Sequence, residues 1–192
     1  DLKFLKYFRQ VVMECHRHSI SVFVDPHQDV WSRFTGGSGA PAWTLEQVGF
    51  DVSLLDETAS SLTSQKFPET TSAKMYGHTT HPKMVWGTNY NRLATATMFT
   101  LFFAGDRFAP HFPLISEKNK KMTIQEYLQS HYVRAMRRVA HEIRDLPNVL
   151  GFDTLNEPSQ GWACREKPLD VNNWPAPMGW SLTAWDAIRL GV

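Results

Sequence analysis

The chain has 192 residues, 42% of them hydrophobic and 20% charged, and its 20 basic and 19 acidic side chains leave a formal charge of +1. That balance excludes a disordered, collagen-like or disulfide-stapled chain and allows one domain with a sizeable core. It also lacks the clustered basic face that a nucleic-acid partner demands, and no apolar run approaches the roughly 20 residues that span a bilayer. The opening Asp1-Leu2-Lys3-Phe4-Leu5-Lys6 lacks the layout of a signal peptide. Cys15 and Cys164 are too few and too far apart for a disulfide framework. They read as two buried reduced thiols of a soluble chain, which favours an intracellular setting.

In chain order, Leu5, Phe8, Val11, Val12 and Cys15 recur at the spacing of an amphipathic helix with no cap before it, so the chain reads as starting inside a domain. Ile20 to Val24 is a β-branched and aromatic run broken by Asp25-Pro26, which predicts a buried strand followed by a polar loop. From Trp31 to Pro110 turn material and Ser/Thr/Pro-rich sequence predict long loops carrying two short helices. One of these, Leu93 to Phe103, is apolar on nearly every side and is expected to be buried. Thr123-Ile124-Gln125-Glu126 has the form of a capping box. It opens a helix with an apolar face of Ile124, Leu128, Tyr132, Met136, Val139 and Ile143 that stops at Leu146-Pro147. Val149 to Leu155 predicts a second buried strand, ending in Asn156-Glu157-Pro158, and a last helix begins near Leu182. Two strands, each preceded by a helix and each ending in a polar cluster, form the layout of α/β units whose chemistry sits at the strands' carboxyl ends.

Glu157 is the strongest candidate for chemistry. A carboxylic acid in a low-dielectric pocket at a strand end stays protonated and can donate to a leaving oxygen. Asn156 points to the opposite side of an extended chain, so both residues line one pocket only if the strand bulges or ends there. The competing structural reading is a Glu at a helix start with Pro at the first helical position. His27-Gln28-Asp29 closes the other strand, where Asp29 would accept from a ligand hydroxyl and His27 would orient it. The rival reading is a metal site, but the remaining histidines are scattered. His16 and His18 diverge on a helix, and His78 and His81 fall in a loop. Trp31, Trp43, Trp86, Trp162, Trp174 and Trp180 lie in predicted loops, where they either stack on sugars or lipids or pack the loops onto the scaffold. The basic run from Lys118 to Lys121 reads as a solvated loop.

Five stretches carry a family resemblance: Val24-Asp25-Pro26-His27-Gln28-Asp29-Val30-Trp31-Ser32-Arg33, Gly39-Ala40-Pro41-Ala42-Trp43, Val85-Trp86-Gly87-Thr88-Asn89-Tyr90, Thr97 to Gly105, and Gly151-Phe152-Asp153-Thr154-Leu155-Asn156-Glu157-Pro158. In this order they resemble the retaining β-glycosidases of glycoside hydrolase family 5, in particular the endoglycoceramidase-like group that includes fungal glucosylceramidases and steryl β-glucosidases. The resemblance implies that Glu157 is the acid/base and that Asn156 holds the sugar 2-hydroxyl. It places His27 and Asp29 in the glucose subsite and makes Trp86 a sugar-contacting aromatic. It also implies a second Glu as nucleophile at the end of the seventh strand of a (β/α)8 barrel, about 5 to 5.5 Å from the first carboxyl.

A closed barrel typically needs roughly 250 residues. The expected fold is therefore α/β, a partial (β/α)8 barrel covering about strands 3 to 4 with a long loop excursion between them. Residues 1–192 would form part of a single catalytic domain truncated at both ends. Glu166 is the one Glu after Glu157 and lies in a predicted loop, so the nucleophile is expected outside the chain and the chain alone is expected to be inactive. The parent protein would hydrolyse a lipid-linked β-glucoside, a steryl glucoside or glucosylceramide, with no cofactor or metal and no protein partner. It would make transient contact with a membrane surface to reach its substrate. Two alternatives stand beside this: a noncatalytic glycan- or glycolipid-binding domain, and a metal-dependent hydrolase using His27 and Asp29.

Overall fold

The computed structural model describes residues 1–63 and 85–163. Helix α1 (Leu2–Arg17) buries Val12 and carries the predicted apolar stripe. It does have a cap, because the Asp1 side chain accepts the Lys3 N–H at 2.9 Å. Strand β1 (Val22–Val24) pairs in parallel with the last strand, Val149–Phe152, in the register Val22 to Val149, Phe23 to Gly151 and Val24 to Phe152. Asn148 locks this end of the sheet: its Nδ2 donates to the carbonyls of Val12 and Ile20, both at 3.1 Å, and its backbone carbonyl accepts the Val22 N–H at 2.7 Å. The last strand stops at Phe152, three residues short of the expected Leu155, where regular pairing gives way to an irregular stretch.

The excursion between the two strands is ordered where it is described, and it supplies most of the core. Its elements are α2 (Trp43–Gln47), α3 (Val85–Thr88), α4 (Leu93–Phe108), the antiparallel hairpin of β2 (Ile115–Glu117) and β3 (Lys120–Met122), and α5 (Ile124–Ile143), after which β4 is the strand Val149–Phe152. As its all-round apolar sequence requires, α4 is buried along Ala94, Thr95, Ala96, Met98 and Phe99. It runs five residues further than predicted, past a non-helical Ala104, and Phe103 faces solvent with 49% of its surface exposed. At Gly105 it approaches the start of α5 so closely that an added Cβ would lie 3.2 Å from both Ile124 and Gln125.

Of the two readings of Trp31 the packing one holds: it lies in irregular chain and pins that loop into the core. Its ring meets Phe99 and Phe102 edge-on at 5.3 and 5.7 Å, and its Nε1 donates to Thr44 Oγ1 at 3.0 Å. Trp43 stands at the start of α2 and packs against Tyr127 and His131. A buried Asn89 binds both backbone groups of Leu62 at 2.7 Å. The turn passing over it needs Gly36, which sits at φ 93 with no room for a Cβ beside the Asn89 amide.

Three further expectations need correction. Thr123 Oγ1 caps α5 by accepting the Glu126 N–H at 3.1 Å, but the Glu126 carboxylate pairs with Lys120 instead of returning to Thr123, so only half of the capping box forms. The run from Lys118 to Lys121 is solvated as predicted, but it is the turn and second strand of the hairpin rather than a loop. Cys15 is free and half-buried, not buried. The predicted helix near Leu182 and the residues Cys164, Glu166, His78, His81, Trp174 and Trp180 lie outside the described residues.

The parallel β1–β4 pair, reached through α5, makes this an α/β unit, and no closed barrel forms among the described residues. Because the strands are parallel, α5 must return the chain from the carboxyl end of β1 to the amino end of β4, so its N-terminus lies at the strands' carboxyl end. Arg9 of α1 ties down its far end through two hydrogen bonds of 2.7 Å to the Asp145 carboxylate. The Arg9 hydrogen bonds hold the Asp145 pKa down at about 2, against 3.8 for a free Asp. A depressed carboxylate stabilises the fold above its unfolded pKa, so this contribution is complete above about pH 4 and is lost as pH falls toward 2. An NMR titration is expected to place Asp145 near pH 2 and to return it to the ordinary range in Arg9→Ala.

Candidate functional site

The two strand ends are sewn together by one buried side chain. Gln28, 5% exposed, donates from Nε2 to the carbonyls of Asn156 at 2.6 Å and Glu157 at 2.9 Å, while its Oε1 accepts the Trp31 N–H at 3.0 Å. In return Asn156 donates from its backbone to the Pro26 carbonyl at 3.2 Å and from Nδ2 to the Gln28 carbonyl at 3.1 Å. The buried Gln28 amide and the buried Trp31 N–H would be left unsatisfied without these bonds.

Glu157 sits at φ 37, in the left-handed region that a residue with a side chain seldom adopts. This turn, not a bulge, separates the directions of neighbouring side chains: Asn156 goes to the Gln28 backbone and Glu157 to solvent. The described residues after Pro158 form turns and irregular chain, so the helix-start reading of Glu157 does not hold. The low-dielectric pocket expected around Glu157 is not built by the described residues, since its side chain is exposed.

On the facing strand end, His27 Nε2 lies 2.9 Å from Asp29 Oδ2. Asp29 is held in place by two backbone hydrogen bonds with Ser38, both of 3.0 Å, and its carboxylate receives Ser38 Oγ at 3.5 Å. Gly37 makes this approach feasible, because a Cβ there would collide with the Asp29 carbonyl at 2.0 Å. Asp29 is three-quarters buried and His27 mostly exposed. Among the described residues no group of three potential ligands could hold a metal, so His27 and Asp29 have no third donor there.

Tyr90 packs against the Glu157 turn. Its hydroxyl reaches the Glu157 carbonyl at 3.4 Å, its carbonyl accepts Ser159 Oγ at 3.2 Å, and its ring meets Trp86 edge-on at 6.0 Å. Burial, then the charges of Glu157 and Asp29, push its hydroxyl above the ordinary range, so it remains a neutral donor at physiological pH. The sequence reading missed both Tyr90 and Gln28 as site residues. The spacing of Tyr90, four residues after Trp86, was the one local hint of the ring contact. An open cleft of about 1130 Å³ runs from His27 and Gln28 past Trp43 and Tyr132 along α1 and α5. The cleft shares His27 and Gln28 with the strand-end cluster, but Glu157 is not on its wall.

The comparisons with known proteins point the same way. No protein-family model matches the chain. It is 42% identical over 168 residues to a glucosylceramidase of Rhizopus delemar, covering 84% of this chain and 22% of that protein. It is 34% identical over 204 residues to the ergosteryl-beta-glucosidase of Saccharomyces cerevisiae, covering all of this chain and 26% of that protein. A crystal structure of Cryptococcus neoformans sterylglucosidase 1 superimposes with a TM-score of 0.79 at 36% identity, covering 100% of this chain and 26% of that one. The chain is homologous to one segment of these fungal glucosidases. The resemblance drawn from the five sequence stretches is thereby borne out. The chain spans about a quarter of the length of the relatives it matches.

Proposed function

We propose that the protein carrying this chain is a retaining β-glucosidase of glycoside hydrolase family 5 that cleaves glucose from a sterol or ceramide, with residues 1–192 forming part of its (β/α)8 catalytic domain. One observation supports this above the rest: Gln28, next to Asp29 on one strand end, holds the backbone of Asn156 and Glu157 on the other, with the Tyr90 hydroxyl on the same Glu157 carbonyl, in a segment shared with proteins named as glucosidases. Glu157 protonates the glycosidic oxygen as its bond to the anomeric carbon breaks. A nucleophilic carboxylate bonds to that carbon in the same step, and the Glu157 carboxylate then removes a proton from the water that attacks the carbon, breaks the bond to the nucleophile and releases glucose. The nucleophile of the first step is not assigned to any residue of this chain.

Asp29 accepts from glucose hydroxyls and His27 orients it, as their 2.9 Å contact allows. The Asn156 amide has two N–H groups and a carbonyl, so its single bond to Gln28 leaves capacity for the 2-hydroxyl. Trp86, 38% exposed, offers an indole face to the sugar ring.

The complete protein is expected to release the aglycone from an aryl β-glucoside with no loss of rate in the presence of a chelator. Sugar binding without turnover would overturn this reading in favour of a noncatalytic binding module, and loss of turnover to the chelator would favour a metal-dependent hydrolase. Parallel assays on a steryl glucoside and glucosylceramide then identify the aglycone.

A further inference from the structure

We infer that the rim formed by the end of α4, the loop to β2 and the β2–β3 hairpin docks onto an anionic phospholipid surface and presents the strand-end site to lipid-embedded substrate. The inference rests on the proposed lipid-linked substrate, and its placement follows from topology. The hairpin leads directly into the N-terminus of α5, which lies at the same end of the molecule as the carboxyl ends of β1 and β4.

Strand alternation divides the hairpin into two faces. The cross-strand pair Ile115 and Met122 is buried against the core. Glu117 and Lys120, the next pair on that face, are held by α5, Glu117 by Arg134 at 3.0 Å and Lys120 by Glu126. The opposite face carries Leu114, Ser116 and Lys121, all exposed, with Lys118 at the tip.

A turn closed by the Phe112 N–H on the Ala109 carbonyl at 3.0 Å connects this hairpin to Phe108, the last residue of α4. Phe108 is 53% exposed and Leu114 57%, although neighbouring Ala109 and Phe112 pack against the core. The apolar groups of the rim are thus sorted, one set inward and one outward. Its charges are sorted too. The carboxylates of Glu117 and Glu126 are neutralised by ion pairs, whereas Arg107, Lys118 and Lys121 make no ion pair among the described residues, against a single outlying Asp106. Exposed aromatic and aliphatic groups ringed by unneutralised cations match an anionic interface, into which the apolar side chains insert while the cations meet headgroup phosphates and carboxylates.

The test is co-sedimentation of the complete protein with vesicles of phosphatidylcholine alone or containing one-third phosphatidylserine. Tighter binding to the anionic vesicles is expected. Lys118→Gln with Lys121→Gln is expected to weaken it about twenty-five-fold, each cation contributing about fivefold. Phe108→Ser with Leu114→Ser is expected to weaken it at high salt, where the electrostatic part is screened. Both double variants should retain wild-type turnover of a soluble aryl β-glucoside. Equal affinity for neutral vesicles, no affinity for either, or unchanged binding in both double variants would overturn the inference. So would a change in oligomeric mass of the Phe108/Leu114 variant without a change in vesicle binding, which would assign the face to a second copy. Absence of aryl β-glucoside turnover in the wild type bears on the proposed reaction instead, and the vesicle readout does not depend on it.

Discussion

Glu157→Gln is expected to lower kcat/KM of the complete protein for a steryl or alkyl β-glucoside by about 10²- to 10⁴-fold, the usual contribution of a positioned acid/base. That corresponds to about 3–5 kcal/mol of transition-state stabilisation. The substrate dependence of the loss is the more searching result. A sterol alkoxide is a poor leaving group and must be protonated as it departs, whereas a dinitrophenolate leaves unaided. With the activated substrate the variant is therefore expected to form the glucosyl-enzyme at nearly the wild-type rate and then to stall, because no base remains to activate water. A stoichiometric burst of dinitrophenolate followed by slow turnover is the expected trace. Equal losses on both substrates, with no burst, would remove Glu157 from the acid/base role.

The second large effect is expected at Gln28, which touches no substrate in the proposed reaction. Gln28→Ala strips a partner from the buried Trp31 N–H and from the carbonyls of Asn156 and Glu157. Each buried group left unsatisfied costs about 1–3 kcal/mol, reduced where Tyr90 still reaches the Glu157 carbonyl. A loss of about 3 kcal/mol in unfolding free energy is expected by denaturant titration. Glu157 lies in a left-handed turn that the same hydrogen bonds hold, so kcat is expected to fall even at temperatures where the variant remains folded. Gln28→Glu keeps an acceptor for Trp31 but turns an anion toward two carbonyls, so it is expected to be as damaging to kcat as the truncation. A Gln28→Ala variant within 0.5 kcal/mol of wild type and with unchanged kcat would show that the strand ends are held by something else.

The elements legible in the sequence were those whose burial is periodic. The stripes of α1 and α5 and the all-round apolar α4 follow from residue spacing alone, whereas β1 and β4 form where predicted but are not buried, Phe23 being 58% and Leu150 72% exposed, because only two strands pair among the described residues. The elements that escaped were decided by partners distant in sequence. Trp31 reads as a loop aromatic until Phe99 and Phe102 close around it. Lys120 and Lys121 are solvent-exposed as read, but they belong to a strand rather than a loop because Ile115 and Met122 pair across the hairpin. The Glu126 carboxylate fits a capping box by spacing, yet a lysine six residues back competes for it and takes it.

The candidate site divides in the same way. The residues proposed for glycoside cleavage, Glu157 and Asn156 on one segment and His27 and Asp29 on the other, together with the motifs that identify the relatives, were legible in the sequence by itself. Which of them meet, and how they are aimed, was decided only by the tertiary structure. More than a hundred residues separate Gln28 from Asn156, and their reciprocal hydrogen bonds exist only because β1 and β4 lie side by side. A buried glutamine that satisfies backbone groups leaves no periodic trace in its neighbourhood, and a left-handed glutamate leaves none either. Both are fixed by the requirement that every polar group at the junction of two strands find a partner, a condition on the folded chain as a whole.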